Sequence, residues 1–257
     1  MMRSLPLLGP SAAHLPEDVT NALFDAIHRE TGMRATPARL SSPGLLPQIL
    51  ERSPDVVAWA PSWVAFVLQR LRLADPLVTV VRADERQRSS ILVARRGIDG
   101  LADLAGRRVG WVSRFSATGY ELPRLYLESF GVEVDELFAA QRFLGSHTAA
   151  SAALARGDVD VIATHSRALR HVFDLMPARI LVSIGPVPSD VVVAGAGIPD
   201  DVRRRLVRGL RAMRVQSLEL GPVRDGHLDL FGMLRRNAGD GGDRALPSHA
   251  ESAVALH

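Results

Sequence analysis

The sequence of 257 residues has no cysteine, no lysine and few aromatic residues, which make up 5% of the chain. The absence of cysteine excludes disulfide frameworks, zinc ribbons, iron–sulfur clusters and thiol nucleophiles. All 31 basic residues are arginines, and the formal net charge of +3 is too small to indicate a nucleic-acid partner. No apolar run reaches the roughly 18 to 20 residues of a membrane span. We therefore expect a globular protein that does not span a membrane.

The N-terminal residues also lack the features of an export signal. The apolar run at residues 5–8 contains Pro6 and ends at Gly9 and Pro10, well short of the roughly 7 to 15 residues of a signal-peptide core. The sequence as given is expected to be cytoplasmic. If a leader was removed, the expected location is periplasmic or otherwise extracytoplasmic.

Short apolar runs alternate with amphipathic helical patterns along most of the chain. Residues 16–30 illustrate a helical pattern, with Val19, Leu23 and Ile27 on one face. This alternation predicts an α/β fold with mainly parallel sheets. Residues 237–257 show no period and many turn formers, so we expect a disordered tail there.

Polar strand-to-helix junctions are the candidate functional elements. The clearest is the segment RVGWVSRFSATGY, in which a strand ends near Val112 and a helix begins near Gly119. Backbone N–H groups and the helix dipole there favour an anion, and the Ser116 and Thr118 hydroxyls add donors. The alternative is that Ser116 or Thr118 acts only as a helix N-cap.

Three further junctions have the same character, and all four could line one crevice at the carboxyl ends of the strands. They are Ser62 with Trp63, the segment GSHT with His147, and the segment ATHS with Thr164 and His165. A lone histidine in such a loop is either a ligand contact or an ordinary loop or core residue. The sequence alone leaves both interpretations open.

The segments DLAGRRVGWVSRFSATGY and FLGSHTAASAALARGDVDVIATHS resemble a known family in order and spacing. They are similar to the phosphonate-, phosphite- and phosphate-binding PhnD-like proteins of ABC importers, which have the type II periplasmic-binding-protein fold. The resemblance covers about residues 1–215. It implies two α/β lobes with a two-crossing hinge: lobe 1 from residues 1–91 and 186–236, and lobe 2 from residues 92–185.

The resemblance also implies a site and a ligand. A small oxyanion would be held between the closing lobes by Ser116, Ala117 and Thr118, with His147 as a further donor. Together with the residues of the other junctions, the binding candidates are Ser116, Ala117, Thr118, Gly119, Tyr120, His147, Ser62, Trp63, Ser90, Thr164 and His165. No acidic residue lies at 164–166, where the family would place the partner of an aminophosphonate ammonium group. Phosphate, phosphite and methylphosphonate-type ligands are therefore expected. An ABC transporter permease would be the partner of an exported, monomeric protein.

No catalytic residue, metal or cofactor is predicted. Motifs such as G-x-S-x-G, H-E-x-x-H, the Walker A loop and G-x-G-x-x-G are missing from the sequence. The alternative is a cytosolic enzyme on the same fold, similar to chorismate dehydratases or thiamine-pyrimidine synthases and acting on a small organic acid.

Overall fold

The computed structural model describes residues 4–9, 17–40, 42–82, 88–214, 218–239 and 254–255. The chain divides into two compact α/β units, and each contains one six-stranded sheet. Unit 1 comprises Met1–Arg86 and Pro188–Leu228, and unit 2 comprises Gln87–Val187 and Asp229–His257.

Unit 1 has a sheet in the order β11-β4-β10-β3-β1-β2. Its elements are β1 (Ser4–Gly9), α1 (Glu17–Thr31), β2 (Arg34–Arg39), α2 (Leu46–Arg52), β3 (Val57–Ala60), α3 (Ser62–Arg70), β4 (Ala74–Arg82), β10 (Asp190–Gly195), α8 (Asp200–Ala212) and β11 (Leu218–Pro222). The apolar face predicted around Val19, Leu23 and Ile27 is buried in the core, and α1 packs against α8.

Unit 2 has a sheet in the order β12-β9-β5-β8-β6-β7. Its elements are β5 (Ser90–Arg95), β6 (Arg108–Trp111), a π-helical turn (Ala117–Glu121), α4 (Leu122–Glu128), α5 (Val134–Leu137), β7 (Ala140–Phe143), α6 (His147–Arg156), β8 (Val161–His165), α7 (Leu169–Leu175), β9 (Ala178–Gly185), α9 (Asp229–Gly239) and β12 (Val254–Ala255).

The predicted two-unit α/β fold class is confirmed, and both sheets are mixed. In unit 1, β1 pairs in parallel with β2 and β3, whereas β10 is antiparallel to β3 and β4. In unit 2, β6 pairs in parallel with β7 and β8, whereas β5 is antiparallel to β8 and β9. Strands β5 and β10 each follow a crossing of the chain from one unit to the other, and β11 is a further antiparallel strand, paired with β4.

The structure differs from the expected lobe boundaries in three places, the smallest of which is the second crossing, at 187–188 rather than at 185–186. Strand β5 belongs wholly to unit 2, so the first crossing falls at 86–87 rather than at 91–92. Helix α9 also belongs to unit 2, although residues up to 236 were expected in lobe 1. The reason is an apolar stripe with Phe231 and Leu234, both buried, on a helix that packs against α4.

The prediction of a disordered tail at residues 237–257 is also wrong near both ends of that range. Residues 237–239 continue α9, and β12 pairs in parallel with Ile184 and Gly185 of β9. Residues 240–253 and 256–257 lie outside the described residues, so the prediction for them stays untested.

Candidate functional site

The junction after β6 forms a tight turn that is capped by Ser116. The Ser116 Oγ atom accepts a hydrogen bond from the Gly119 N–H at 3.0 Å, which makes Ser116 the N-cap of the π-helical turn. The first N–H groups of a helix have no acceptor within that helix, which applies here to Ala117 and Thr118. Capping uses an oxygen lone pair of the serine hydroxyl, so its hydrogen can still be donated to a ligand. The cap and the anion site predicted from the sequence are therefore compatible.

Gly119 holds this turn against the end of the strand. A Cβ atom at Gly119 would lie 2.5 Å from the Cβ atom of Val112 and 2.9 Å from the Ser116 Oγ atom. The Val112 N–H also donates to the Gly119 carbonyl at 3.0 Å. Only glycine allows this close approach of the turn to the backbone of Val112.

Ser90 supports the same turn from the neighbouring strand β5. Its buried hydroxyl donates to the Thr118 carbonyl oxygen at 2.8 Å, and the turn also packs against β8. The Ser90 hydroxyl is therefore used to position the Thr118 backbone. Ala117 and Thr118 are both buried.

The Tyr120 side chain is part of the core beside the turn. Its ring packs edge-on against Trp111 and Phe143, with centroid distances of 5.4 and 5.2 Å. Its hydroxyl accepts a hydrogen bond from Arg124 at 3.1 Å, and Arg124 also pairs with Asp135 at 2.8 Å.

His147 and His165 lie next to each other. His147 is the first residue of α6, which Ser146 caps through a hydrogen bond from the Ala149 N–H at 3.1 Å. The His147 Nδ1 atom lies 3.0 Å from the Oγ1 atom of the buried Thr164, and the two imidazole centroids are 4.2 Å apart. The structure thus brings together residues from two predicted junctions, His147 from one and Thr164 and His165 from the other.

Both imidazoles are neutral at neutral pH. Burial is the main cause that lowers the pKa of His147 to about 3, and the neighbouring His165 and Arg88 contribute to the same shift. Burial also lowers the pKa of His165 to about 4, with contributions from Arg88 and Arg167. Arg88 was not among the residues predicted from the sequence, although it directly precedes the segment Ser89–Ser90 that enters β5.

Glu121 is a second charged residue that the sequence analysis missed. Burial raises the pKa of its carboxyl group to about 7, the nearby Arg124 opposes that shift, and Glu128 reinforces it. Arg235 of α9 and Arg114 also act on this carboxyl group. No local sequence pattern indicates this burial, and α9, which carries Arg235, was expected in the other lobe.

Ser62 and Trp63 are the predicted residues that belong to unit 1. Pro61 occupies the N-cap position of α3, so Ser62 is the first helical residue. Among the described residues, the Ser62 hydroxyl is fully buried and has no hydrogen-bond partner. Trp63 stacks on Phe66 with a centroid distance of 5.5 Å. A buried hydroxyl at a helix N-terminus is a donor available to a ligand.

The described part of the chain contains neither a membrane-spanning helix nor a cluster of metal ligands. No helix there has both the length and the apolar composition needed to cross a bilayer. Within the same residues, no group of three or more histidine, aspartate or glutamate side chains has the arrangement of a metal site.

The fold and these junctions define a type II periplasmic-binding-protein class of solute-binding protein. A family model described as "ABC transporter, phosphonate, periplasmic substrate-binding protein" matches residues 15–227. The chain therefore belongs to this family, as the sequence resemblance predicted. No match was found among curated proteins.

Solved structures support the same fold. XAC2383 from Xanthomonas citri, bound to ATP, is 21% identical, with a TM-score of 0.77 and coverage of 94% of this chain and 99% of that one. PhnD1 from Prochlorococcus marinus, in complex with methylphosphonate, is 14% identical, with a TM-score of 0.66 and coverage of 92% and 98%. A binding-protein component of a phosphonate ABC transporter from Pseudomonas aeruginosa is 16% identical, with a TM-score of 0.66 and coverage of 94% and 90%. These similarities establish the fold of this chain.

Proposed function

We propose that this protein binds a small oxyanion of the phosphate, phosphite or phosphonate type, with the Ser116–Gly119 turn as its main anchor. The observation that carries this proposal is the capped turn, which combines open helix N–H groups with the Ser116 hydroxyl. Membership of the phosphonate-binding family and the methylphosphonate bound to PhnD1 support this ligand class.

The surrounding groups of unit 2 suit an anion. His147 and His165 are neutral N–H donors, and Arg88 adds a positive charge near both of them. In unit 1, the buried Ser62 hydroxyl is a further available donor. Hydrogen bonds from such groups to an ionised oxygen are stronger than neutral ones.

The groups at this turn favour binding without chemical conversion. A general base works best when its pKa lies near the working pH. Burial instead lowers the pKa values of His147 and His165 to about 3 and about 4. Both histidines are thus suited to donating a hydrogen bond and poorly suited to accepting a proton from a substrate. Incubation of the protein with each ligand, followed by phosphorus NMR, should show no product.

Delivery of the ligand to an ABC transporter permease, from an extracytoplasmic location, is the role that the family suggests. Closure of the two lobes on the ligand and a monomeric state stay predictions from the sequence resemblance. X-ray scattering with and without a ligand would test both. Compaction at unchanged mass is expected, and an unchanged radius of gyration with a ligand that raises the melting temperature would contradict closure.

The test of the proposed function is calorimetry with methylphosphonate, phosphite, phosphate and sulfate. Replacement of both Ser116 and Thr118 by alanine should weaken binding by about 2 to 4 kcal/mol, because charge-assisted hydrogen bonds are lost. Ser53→Ala, at an exposed position after α2, is the matched control and should leave binding unchanged. Unchanged affinity in the double variant would remove this turn from the site.

A further inference from the structure

The imidazole rings of His147 and His165 pack against each other at a tilt of 58°, and the Nδ1 atom of each ring already has a protein partner. We propose that this pair is fixed as two neutral Nε2–H donors, so that unit 2 selects a fully deprotonated oxyanion over one that retains an acidic hydrogen. The proposed preference for a deprotonated oxyanion rests on the proposed function. Thr164 is a positioning residue in this proposal, because it acts through His147.

The tautomer of His165 follows from its backbone neighbour. The Ala168 N–H donates to the His165 Nδ1 atom at 3.2 Å, so this nitrogen must carry a lone pair. In a neutral imidazole, one nitrogen accepts and the other carries the hydrogen. The hydrogen of His165 is therefore on Nε2.

The tautomer of His147 follows from the burial of Thr164. The Thr164 residue has 0% of its surface exposed, and its Oγ1 atom lies 3.0 Å from the His147 Nδ1 atom. A buried hydroxyl hydrogen needs an acceptor, and the Nδ1 lone pair supplies one. The opposite tautomer would take this acceptor away from the hydroxyl. The hydrogen of His147 is therefore on Nε2 as well.

The charged groups around the pair keep both rings neutral. Arg88, which precedes β5, acts on both imidazoles, and Arg167, which follows β8, acts on His165. The turn beside β8 contributes only the uncharged residues Ser116 to Tyr120 before Glu121. A proton on one ring would place a positive charge 4.2 Å from the other ring and close to the Arg88 guanidinium.

This arrangement has a consequence for the ligand. Two Nε2–H groups, the N–H groups of the turn and Arg88 all donate hydrogen bonds or attract negative charge. Among the described residues, the charged groups that act on the two histidines are arginines and include no carboxylate that could accept a ligand hydrogen. In a monoanion that keeps its acidic hydrogen, the O–H group of the ligand would be poorly paired. This costs roughly tenfold to a hundredfold in affinity.

The first test reads the tautomers directly. Long-range proton–nitrogen NMR correlations of protein labelled with 15N at histidine should show His147 and His165 as Nε2–H tautomers. They should remain so from about pH 5.5 to 8, without ligand and with methylphosphonate. The exposed His171 of α7 provides a reference histidine signal in the same spectra. Titration of either buried ring in this range, or an Nδ1–H tautomer, would overturn the proposal.

The second test measures proton exchange during binding. Calorimetry of methylphosphonate in buffers of different ionisation enthalpy should show that binding releases a proton when the pH lies below the second pKa of the ligand. In that pH range, the affinity should rise about tenfold per pH unit. Methanesulfonate has no acidic hydrogen in this range, so its affinity should stay flat. Net proton uptake, or methylphosphonate affinity that rises as the pH falls, would overturn the inference but leave the proposed function intact.

Variants separate positioning from a merely structural role. Thr164→Val should remove the fixed tautomer of His147 and make the affinity for methylphosphonate less dependent on pH. His171→Asn should change neither the tautomer nor the pH dependence. An unchanged profile in a folded Thr164→Val protein would contradict the role of Thr164. If neither ligand binds at any pH while the NMR shows both Nε2–H tautomers, the proposed oxyanion function itself fails, and the selection fails with it.

Discussion

Ser146 in unit 2 and Ser62 in unit 1 both lie where a strand gives way to a helix, and their hydroxyls have different environments. Ser146 occupies the N-cap position, and its Oγ atom accepts a hydrogen bond from the N–H three residues later. Ser62 lies one position after the N-cap, as the first residue of its helix, and its buried hydroxyl has no hydrogen-bond partner among the described residues.

Pro61 accounts for this difference. It holds the N-cap position of α3 with φ −53° and ψ 146°, which is extended backbone, and it has no side-chain oxygen with which to cap the helix. Ser62 is then already helical, and a side chain at the first helical position cannot reach the free N–H groups as an N-cap does. A shift of one residue thus separates a serine that stabilises its own helix from one whose hydroxyl stays available.

The largest effect should come from disturbing the turn that Ser116 caps. In Gly119→Ala, the new methyl group would lie 2.5 Å from Val112, so the turn must move away from the strand. We expect a loss of about 1 to 3 kcal/mol in the free energy of unfolding, together with loss of oxyanion binding. Chemical denaturation and calorimetry measure the two effects.

Gly239→Ala is the matched control, because nothing lies within 4 Å of a Cβ atom at that position. Its stability should stay the same or rise slightly, since alanine favours a helix. A Gly119→Ala protein with wild-type stability and affinity would show that the turn tolerates a shift, and that its present geometry is not required for binding.

Glu121→Gln should have the next largest effect, and the effect should depend on pH. Because burial raises the pKa of this carboxyl group to about 7, the folded protein binds a proton more tightly than the unfolded chain does. Wild-type stability from this group is present below the unfolded pKa of 4.5 and is lost as the pH rises through 7. The glutamine variant avoids this loss, so it should be more stable than wild type by about 1 to 2 kcal/mol at pH 8.

The difference between Glu121→Gln and wild type should shrink towards zero near pH 5. Thermal unfolding at a series of pH values measures it. Glu136→Gln, at an exposed position of α5, is the control for the loss of a carboxylate charge. A constant difference between Glu121→Gln and wild type across this range would contradict the proposed titration.

These residues also show what the sequence could and could not predict. The turn at Ser116–Gly119 and the junction at His147 were found from local patterns, because N-caps and strand-to-helix turns have short sequence signals. The packing of His147 against His165 and Thr164 was not predictable in detail, since it depends on strand order in the sheet. The burial of Glu121 was missed because it involves α9, whose position follows from packing against α4.

Ser146→Ala tests the serine that caps its own helix. The variant loses the hydrogen bond from the Ala149 N–H, and the expected cost is about 1 kcal/mol in the free energy of unfolding. Urea denaturation measures this cost. Ser146→Asp is the matched variant, because its carboxylate can also cap, and it should retain most of the stability. Equal losses in both variants would mean that the cap hydrogen bond contributes little.

Ser62→Ala tests the serine without a partner and should have the smallest effect on stability. A buried hydroxyl without a hydrogen-bond partner is unfavourable, so its removal should leave the free energy of unfolding unchanged or raise it by about 0.5 kcal/mol. If the hydroxyl donates to the ligand, the same variant should still weaken oxyanion binding, by about 1 kcal/mol or slightly more. Urea denaturation measures the effect on stability and calorimetry measures the effect on affinity, and the two effects should have opposite signs in one protein sample. A clear loss of stability would show that Ser62 has a structural partner after all, whereas unchanged stability with unchanged affinity would remove Ser62 from the site.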